Sequence, residues 1–166
     1  MLQEIKVTDI DKNAFEILGK RWALVTAGDK DDFNTMTVSW GQMGVLWFEY
    51  VTSVYVRPTR YTYEYMEKND YFTISFFTNE YNKDLQYLGT VSGRDEDKVA
   101  KTSLTPAFLD DTVGFEQAEY VIVCKKAHVT DITRDQFVDK KVESVYTDDN
   151  LHRAYTGVIK KVYKKV

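Results

Sequence analysis

Histidine is nearly missing from this chain, and so is the thiol on which nucleophile and metal chemistry often rests: 2 His and 1 Cys occur among 166 residues. His128 and His152 stand at no metal-ligand spacing from each other or from Cys124, so a zinc or iron centre is not expected. A single cysteine also excludes an internal disulfide framework. No charged start leading into an apolar stretch and no long apolar span occurs, so neither secretion nor membrane insertion is indicated, and a cytoplasmic location is the expectation. No strand leads into G-x-G-x-x-G, which removes the Rossmann route to a nicotinamide. With a net charge of -4 the chain lacks the basic surface that a general nucleic-acid binder needs. Nor is there a convincing triad or carboxylate dyad. The adjacent acids Asp31-Asp32, Asp110-Asp111 and Asp148-Asp149 lie in polar stretches and read as turn residues.

What the chain does have is aromatic bulk and strand-forming sequence. Aromatics make up 14% of it against only 8 Gly and 2 Pro, which opposes disorder. No repeat or linker divides it, so residues 1–166 read as one domain, continuous from about residue 10. Trp22 to Ala27 and Thr35 to Trp40 flank the polar stretch Gly28 to Asp32 as a hairpin, and Val51 to Val56 is a strand that stops at Pro58. Tyr61 to Asn69 reads as a short helix with Thr59 as N-cap, and Tyr71 to Phe77 as a buried strand. Helices are expected over Asn79 to Leu88, closed by Gly89, and over Asp95 to Thr102. Tyr120 to Ala127 is a strand and Arg134 to Tyr146 is ambiguous. Ala154 to Tyr163 is a closing strand whose lysines, Lys160, Lys161, Lys164 and Lys165, would discourage edge pairing. Strands dominate without regular alternation with helices. A mainly antiparallel β-barrel with short peripheral helices fits better than a doubly wound sheet.

Three segments carry the chemistry. Asn34-Thr35-Met36-Thr37-Val38-Ser39-Trp40-Gly41 puts Asn, Thr and Ser into a strand, ahead of Trp47 and Phe48; buried hydroxyls need partners, and this set suits a flat, polar-edged ring with a phosphate tail. The plainer reading is an ordinary half-exposed strand. Val56-Arg57-Pro58-Thr59-Arg60-Tyr61-Thr62 gathers two guanidinium groups and two hydroxyls at a helix N-terminus, a natural anion site, or else a capped helix with solvated arginines. In Ser92-Gly93-Arg94-Asp95-Glu96-Asp97-Lys98 the glycine lets backbone amides face a ligand while Arg94 and Lys98 supply charge; alternatively Ser92 and Asp95 only start a helix. The recurrence of three such segments in an acidic chain favours a shared ligand.

In that order and at those separations, the three segments resemble the flavin reductase-like family, particularly its flavoredoxin-type members, over about residues 18 to 110, and Tyr155-Thr156-Gly157 is similar too. The resemblance implies an FMN-binding split β-barrel that forms a homodimer with the flavin near the subunit interface. It implies that Thr37, Val38, Ser39 and Trp40 line the isoalloxazine or ribityl portion, within a cofactor-binding strand that begins at Asn34, Thr35 and Met36. Arg57, Thr59, Arg60 and Thr62 would hold the ribityl and phosphate region, completed by Ser92, Gly93, Arg94 and Lys98. The implied function is an FMN-dependent oxidoreductase fed by NAD(P)H or by a redox protein, the alternative being a non-catalytic flavin-binding or electron-carrier module. A flavin performs hydride and single-electron chemistry itself, which accounts for the missing acid, base and nucleophile. His152 either approaches the flavin or sits in a solvated loop. Cys124 is read as a buried strand thiol. A groove for single-stranded nucleic acid ranks below these readings.

Overall fold

The computed structural model describes residues 1–166 throughout. In chain order the elements are β1 (Leu2–Ile5), α1 (Ala14–Gly19), β2 (Ala23–Gly28), β3 (Phe33–Val38), β4 (Gly41–Leu46), β5 (Glu49–Val56), α2 (Tyr61–Lys68), β6 (Tyr71–Phe76), α3 (Asn82–Thr90), β7 (Pro106–Leu109), β8 (Thr112–Phe115), β9 (Tyr120–Asp131), α4 (Lys140–Glu143) and β10 (Arg153–Lys165). The main sheet is antiparallel in the order β3-β2-β6-β9-β10-β5-β4, with β1 also on β10. Its first and last strands are consecutive in sequence, joined only by Ser39 and Trp40. Such a link reaches about 11 Å at most, so the end strands must come together. The sheet is therefore rolled into a barrel that stays open between β3 and β4, which do not pair.

The barrel is filled by one face of its strands. Phe72, Ile74, Val25, Val54, Ile122 and Tyr155 belong to the larger apolar cluster, closed at its ends by Ile17 and Leu18 of α1 and Met66 of α2. A smaller cluster lies outside, where Leu24 and Val121 meet Leu85 and Leu88 of α3 and Phe115 of β8. Strand alternation alone sorts these residues, since neighbours along a strand point to opposite faces.

Several expectations need correction. β10 is interior and not a closing edge: β9 lies along one side, while β5 and then β1 lie along the other. Two of its four lysines find acids instead, Lys161 with Asp110 at 2.5 Å and Lys164 with Asp11 at 2.8 Å. Residues ahead of position 10 join the sheet as well, since Leu2 to Ile5 pair with Lys165 to Val162. Gly89 lies inside α3, whose C-cap is Val91. The helix expected from Asp95 shrinks to one 3-10 turn over Val99–Lys101. Besides β1, three strands escape sequence reading altogether: β4, which is Gly-Gln-Met-Gly-Val-Leu and carries little β-propensity, and the β7–β8 hairpin, whose first residue is proline. Trp47 and Phe48 form the β4–β5 turn, with φ of 55° and 61°, so they project from a hairpin tip. No helix is long and apolar enough to cross a membrane.

Candidate functional site

β3 is an edge strand, and its inner-face residues Asn34 and Met36 look onto a small cavity of about 160 Å³ beside the N-terminus of α2. The turn before α2 is set by Arg60 N–H donating to the Arg57 carbonyl at 3.0 Å, with Arg60 as N-cap in an extended conformation and no side chain capping the helix. Thr59, the expected cap, instead accepts from Asn150 Nδ2 at 2.8 Å. Tyr63 N–H already donates to the Arg60 carbonyl at 3.0 Å, so it is the Tyr61 and Thr62 amides that are left for another acceptor, at the positive end of the helix dipole.

Two cations converge here. Lys98 is only 4% exposed, and its ammonium donates to the carbonyls of Leu88 at 2.8 Å and Val91 at 3.0 Å. Arg60 Nη2 donates to the Gly89 carbonyl at 2.6 Å. Capping the C-terminal carbonyls of α3 accounts for these hydrogen bonds. It does not account for two positive charges facing one cavity with carbonyls as their only protein partners. Burial, and then the neighbouring Arg60, push the Lys98 pKa down to about 8. A third cation, Arg94, lies 4.7 Å over the Tyr61 ring and is tied to Glu64 and, at 3.4 Å, to the Thr59 carbonyl.

Gly93 shapes the wall. A Cβ there would stand 2.3 Å from Asn34 Oδ1 and 3.1 Å from Tyr61 Cδ1, so only glycine allows this approach. Asn34 is fixed in turn by its Nδ2 donating to Thr62 Oγ1 at 2.7 Å. Of the residues singled out from sequence, Asn34, Met36, Thr59, Arg60, Thr62, Ser92, Gly93, Arg94 and Lys98 all line this one cavity. Tyr61, Thr90 and Val91 line it as well and were not foreseen.

The remaining candidates go elsewhere. Thr35 Oγ1 bonds Thr26 Oγ1 at 2.8 Å and the Val25 carbonyl at 3.1 Å, and Thr37 Oγ1 donates to the Leu85 carbonyl of α3. Their hydroxyls are satisfied inside the protein, so the case that they require a ligand is corrected. Val38 belongs to the barrel core. Period-two alternation is the reason: residues 35 and 37 face away from the cavity that 34 and 36 face. Trp47 and Phe48 line neither the cavity nor the cleft described next. Arg57 turns away from Arg60 to pair with Asp148 at 3.3 Å, 5.6 Å from the centre of the Tyr146 ring.

Ser39 and Trp40 lead from β3 into a much larger, mainly apolar cleft of about 1080 Å³, bordered by β4, α1 and the segment carrying Phe137, Val142, Val145 and Tyr146. At about 3.3 Å per residue, Met36 in the cavity and Ser39 in the cleft are roughly 10 Å apart along the strand. Trp40 packs against His152 with ring centres 4.8 Å apart, and His152 Nδ1 lies 2.8 Å from the Tyr146 hydroxyl. Burial, followed by the Arg57 charge, lowers the His152 pKa to about 4, so the ring is neutral at physiological pH. His152 is therefore no solvated loop residue. Tyr146 and Tyr55, both on the cleft, were missed. The only signal for the first was the pairing of basic and acidic residues around it: Arg134 holds Asp149 at 2.8 Å and the Asp148 carbonyl at 2.6 Å, which ties the segment down.

Comparison with known proteins agrees with this architecture. The family pattern described as "Flavin reductase like domain" matches residues 17–164. No curated protein matches the chain. Among solved structures, the flavoredoxin of Methanosarcina acetivorans superposes with a TM-score of 0.68 at 19% identity, covering 98% of this chain and 76% of that one. The flavoredoxin of Desulfovibrio vulgaris (Miyazaki F) gives 0.68 at 23% identity, over 97% of this chain and 77% of that one. An FMN-binding protein from Thermus thermophilus, solved with bound 1-cyclohex-2-enone, gives 0.67 at 16% identity, over 98% and 80%. At these identities the likeness is one of fold, and a further neighbour from Shewanella frigidimarina is described as having a split barrel domain.

Proposed function

The chain belongs to the flavin reductase-like domain family, and from that premise we propose that it is an FMN-binding oxidoreductase whose cavity holds the phosphate and whose cleft receives the flavin ring. The observation that carries the reading is the pairing of a buried lysine with Arg60, neither neutralised by a carboxylate, around a space of about 160 Å³. Phosphate-sized anions satisfy such a site, because charge-assisted hydrogen bonds to a dianion replace the missing counter-charge. Ser39 and Trp40, a ribityl chain's length away, border the space for the ring. When bound, FMN supplies the hydride and single-electron chemistry. The protein's part is to grip the phosphate with Arg60, Lys98, Arg94 and the α2 amides, to present β3 and Trp40 to the ring, and to keep the cleft apolar.

Electrons enter from NAD(P)H, docking transiently in the cleft, or from a redox protein. The apolar residues exposed around the cleft, among them Phe15, Val45, Val142 and Val145, support a homodimer formed across this face. The first test is the visible spectrum of the purified protein, with and without added FMN. Bands of a bound flavin are expected; a preparation that stays colourless and takes up no FMN overturns the proposal. Oxidation of NADH and NADPH by the loaded protein then separates reductase from electron carrier.

A further inference from the structure

The large cleft differs from the phosphate cavity in a way that bears on what else it can hold. None of its twenty lining residues is Asp, Glu, Lys, Arg or His. Its polar side chains, Ser39, Gln42, Ser53, Tyr55 and Tyr146, carry no charge, and burial pushes the pKa of both tyrosines up, so both stay protonated at physiological pH. Arg57 does not border the cleft and is paired with Asp148. His152, which packs on Trp40 and Tyr146, is neutral.

The volume also exceeds the need of one ring. A space of about 300–1000 Å³ takes a whole drug-sized molecule, so the cleft's 1080 Å³ leaves room for a second ring beside an isoalloxazine. That room has aromatic walls: the Tyr146 ring centre lies 6.2 Å from that of Trp40 and 5.9 Å from that of Phe137, and all three border the cleft. It also has an uncommitted donor. The Tyr146 hydroxyl is held by His152 Nδ1 at 2.8 Å, whereas burial alone shifts Tyr55, whose hydroxyl no hydrogen bond within the protein engages.

We propose that the cleft takes an uncharged, planar carbonyl compound of the quinone class as electron acceptor, its ring against Tyr146 and Phe137 and a carbonyl oxygen on the Tyr55 hydroxyl. The inference rests on the FMN reading above. A planar ring gains from offset or edge contact with aromatic walls, and a carbonyl gives Tyr55 the acceptor it lacks. A lining without counter-ions demands a neutral guest, since an ion moved there loses its hydration uncompensated. One hydride from the reduced flavin and one proton from solvent balance the transfer: the quinone leaves as hydroquinone and the flavin returns to its oxidised form. A nicotinamide donor, which carries a pyrophosphate, must keep that charge in solvent outside the lining.

The experiment is equilibrium dialysis of the FMN-loaded, oxidised protein against naphthoquinone and against naphthoquinone sulfonate, the same ring with a negative charge added. The neutral quinone is expected to bind roughly tenfold or more tightly than the sulfonate. Gln42→Lys puts a cation at an exposed position of the lining, and the gap is expected to close to about threefold as the sulfonate gains. Tyr55→Phe is expected to weaken the neutral quinone about fivefold, the loss of one hydrogen bond. The proposal is overturned by wild-type affinities for the two quinones within about threefold of each other, or by a protein that holds FMN but neither quinone. A gap untouched by Gln42→Lys, or a quinone affinity unchanged in Tyr55→Phe, overturns it as well. Failure to take up FMN instead overturns the FMN reading itself, and with it the acceptor.

Discussion

Lys98 is the residue whose behaviour reports most directly on the site. Burial holds its pKa near 8, below the ordinary 10.5 of an unfolded chain. Between those values the unfolded chain carries a proton that the folded one lacks, so the stability of the flavin-free protein rises with pH through that window. Ligand binding runs the other way. A phosphate dianion favours the charged ammonium, so FMN affinity is level from about pH 7 to 8 and falls as Lys98 loses its proton above that. It also falls below about pH 6, where the phosphate itself takes up a proton. Lys98→Met is expected to weaken FMN binding by about 1–3 kcal/mol at pH 7 and to abolish the alkaline fall. Titrations across pH 7 to 9.5 check this; an identical alkaline decline in wild type and variant would assign the effect to another group. His152 makes a useful contrast: burial lowers its pKa too, but to about 4, so at pH 7 it is neutral beside the Tyr146 hydroxyl while Lys98 is still charged.

Single elements show why some of this was legible in the sequence and some was not. The three segments were found because anion recognition needs Arg, Lys, Gly and hydroxyl residues in local clusters, and local clusters survive in a linear reading. Which side of β3 they face depends on its register against β2, fixed by the pairing of Val25 with Met36 and Thr26 with Thr35, a contact that local composition does not encode. The same limit concealed β4, whose glycines suggest a loop until β5 pairs with it. The β4–β5 turn is the other surprise. Trp47 and Phe48 both take left-handed backbone angles, at a cost of roughly 1–2 kcal/mol per residue for non-glycine side chains. Replacing them by the preferred turn pair, Trp47→Asn with Phe48→Gly, is expected to raise the thermal midpoint by about 2–4 °C. A lower midpoint would mean that the Trp47 ring, 5.9 Å from His128, contributes more packing than its backbone loses.

At the scale of the molecule, six of the fourteen exposed large apolar side chains, Phe15, Trp40, Val45, Leu46, Val142 and Val145, border the large cleft. Phe15 is 88% exposed, Val45 69%, Val138 98% and Val145 55%, and three of these four border the large cleft. A patch of this kind supports the homodimer proposed above. Light scattering after gel filtration is expected to give twice the 19.4 kDa chain mass. The pair Val45→Asp and Val145→Asp should shift the protein to monomer, since an unpaired charge buried in an interface is strongly unfavourable. A wild-type protein that elutes as a monomer at micromolar concentration removes the homodimer.

The open seam between the first and last strands has one more implication. Main-chain donors and acceptors in a sealed cylinder are already spoken for, and a flat heteroaromatic guest would have to prise a ladder apart to reach them. Here the two lips meet only at Ser39–Trp40, and β3 leaves alternate peptide groups free along its outer margin. A planar molecule can rest against that margin without breaking a single strand pair.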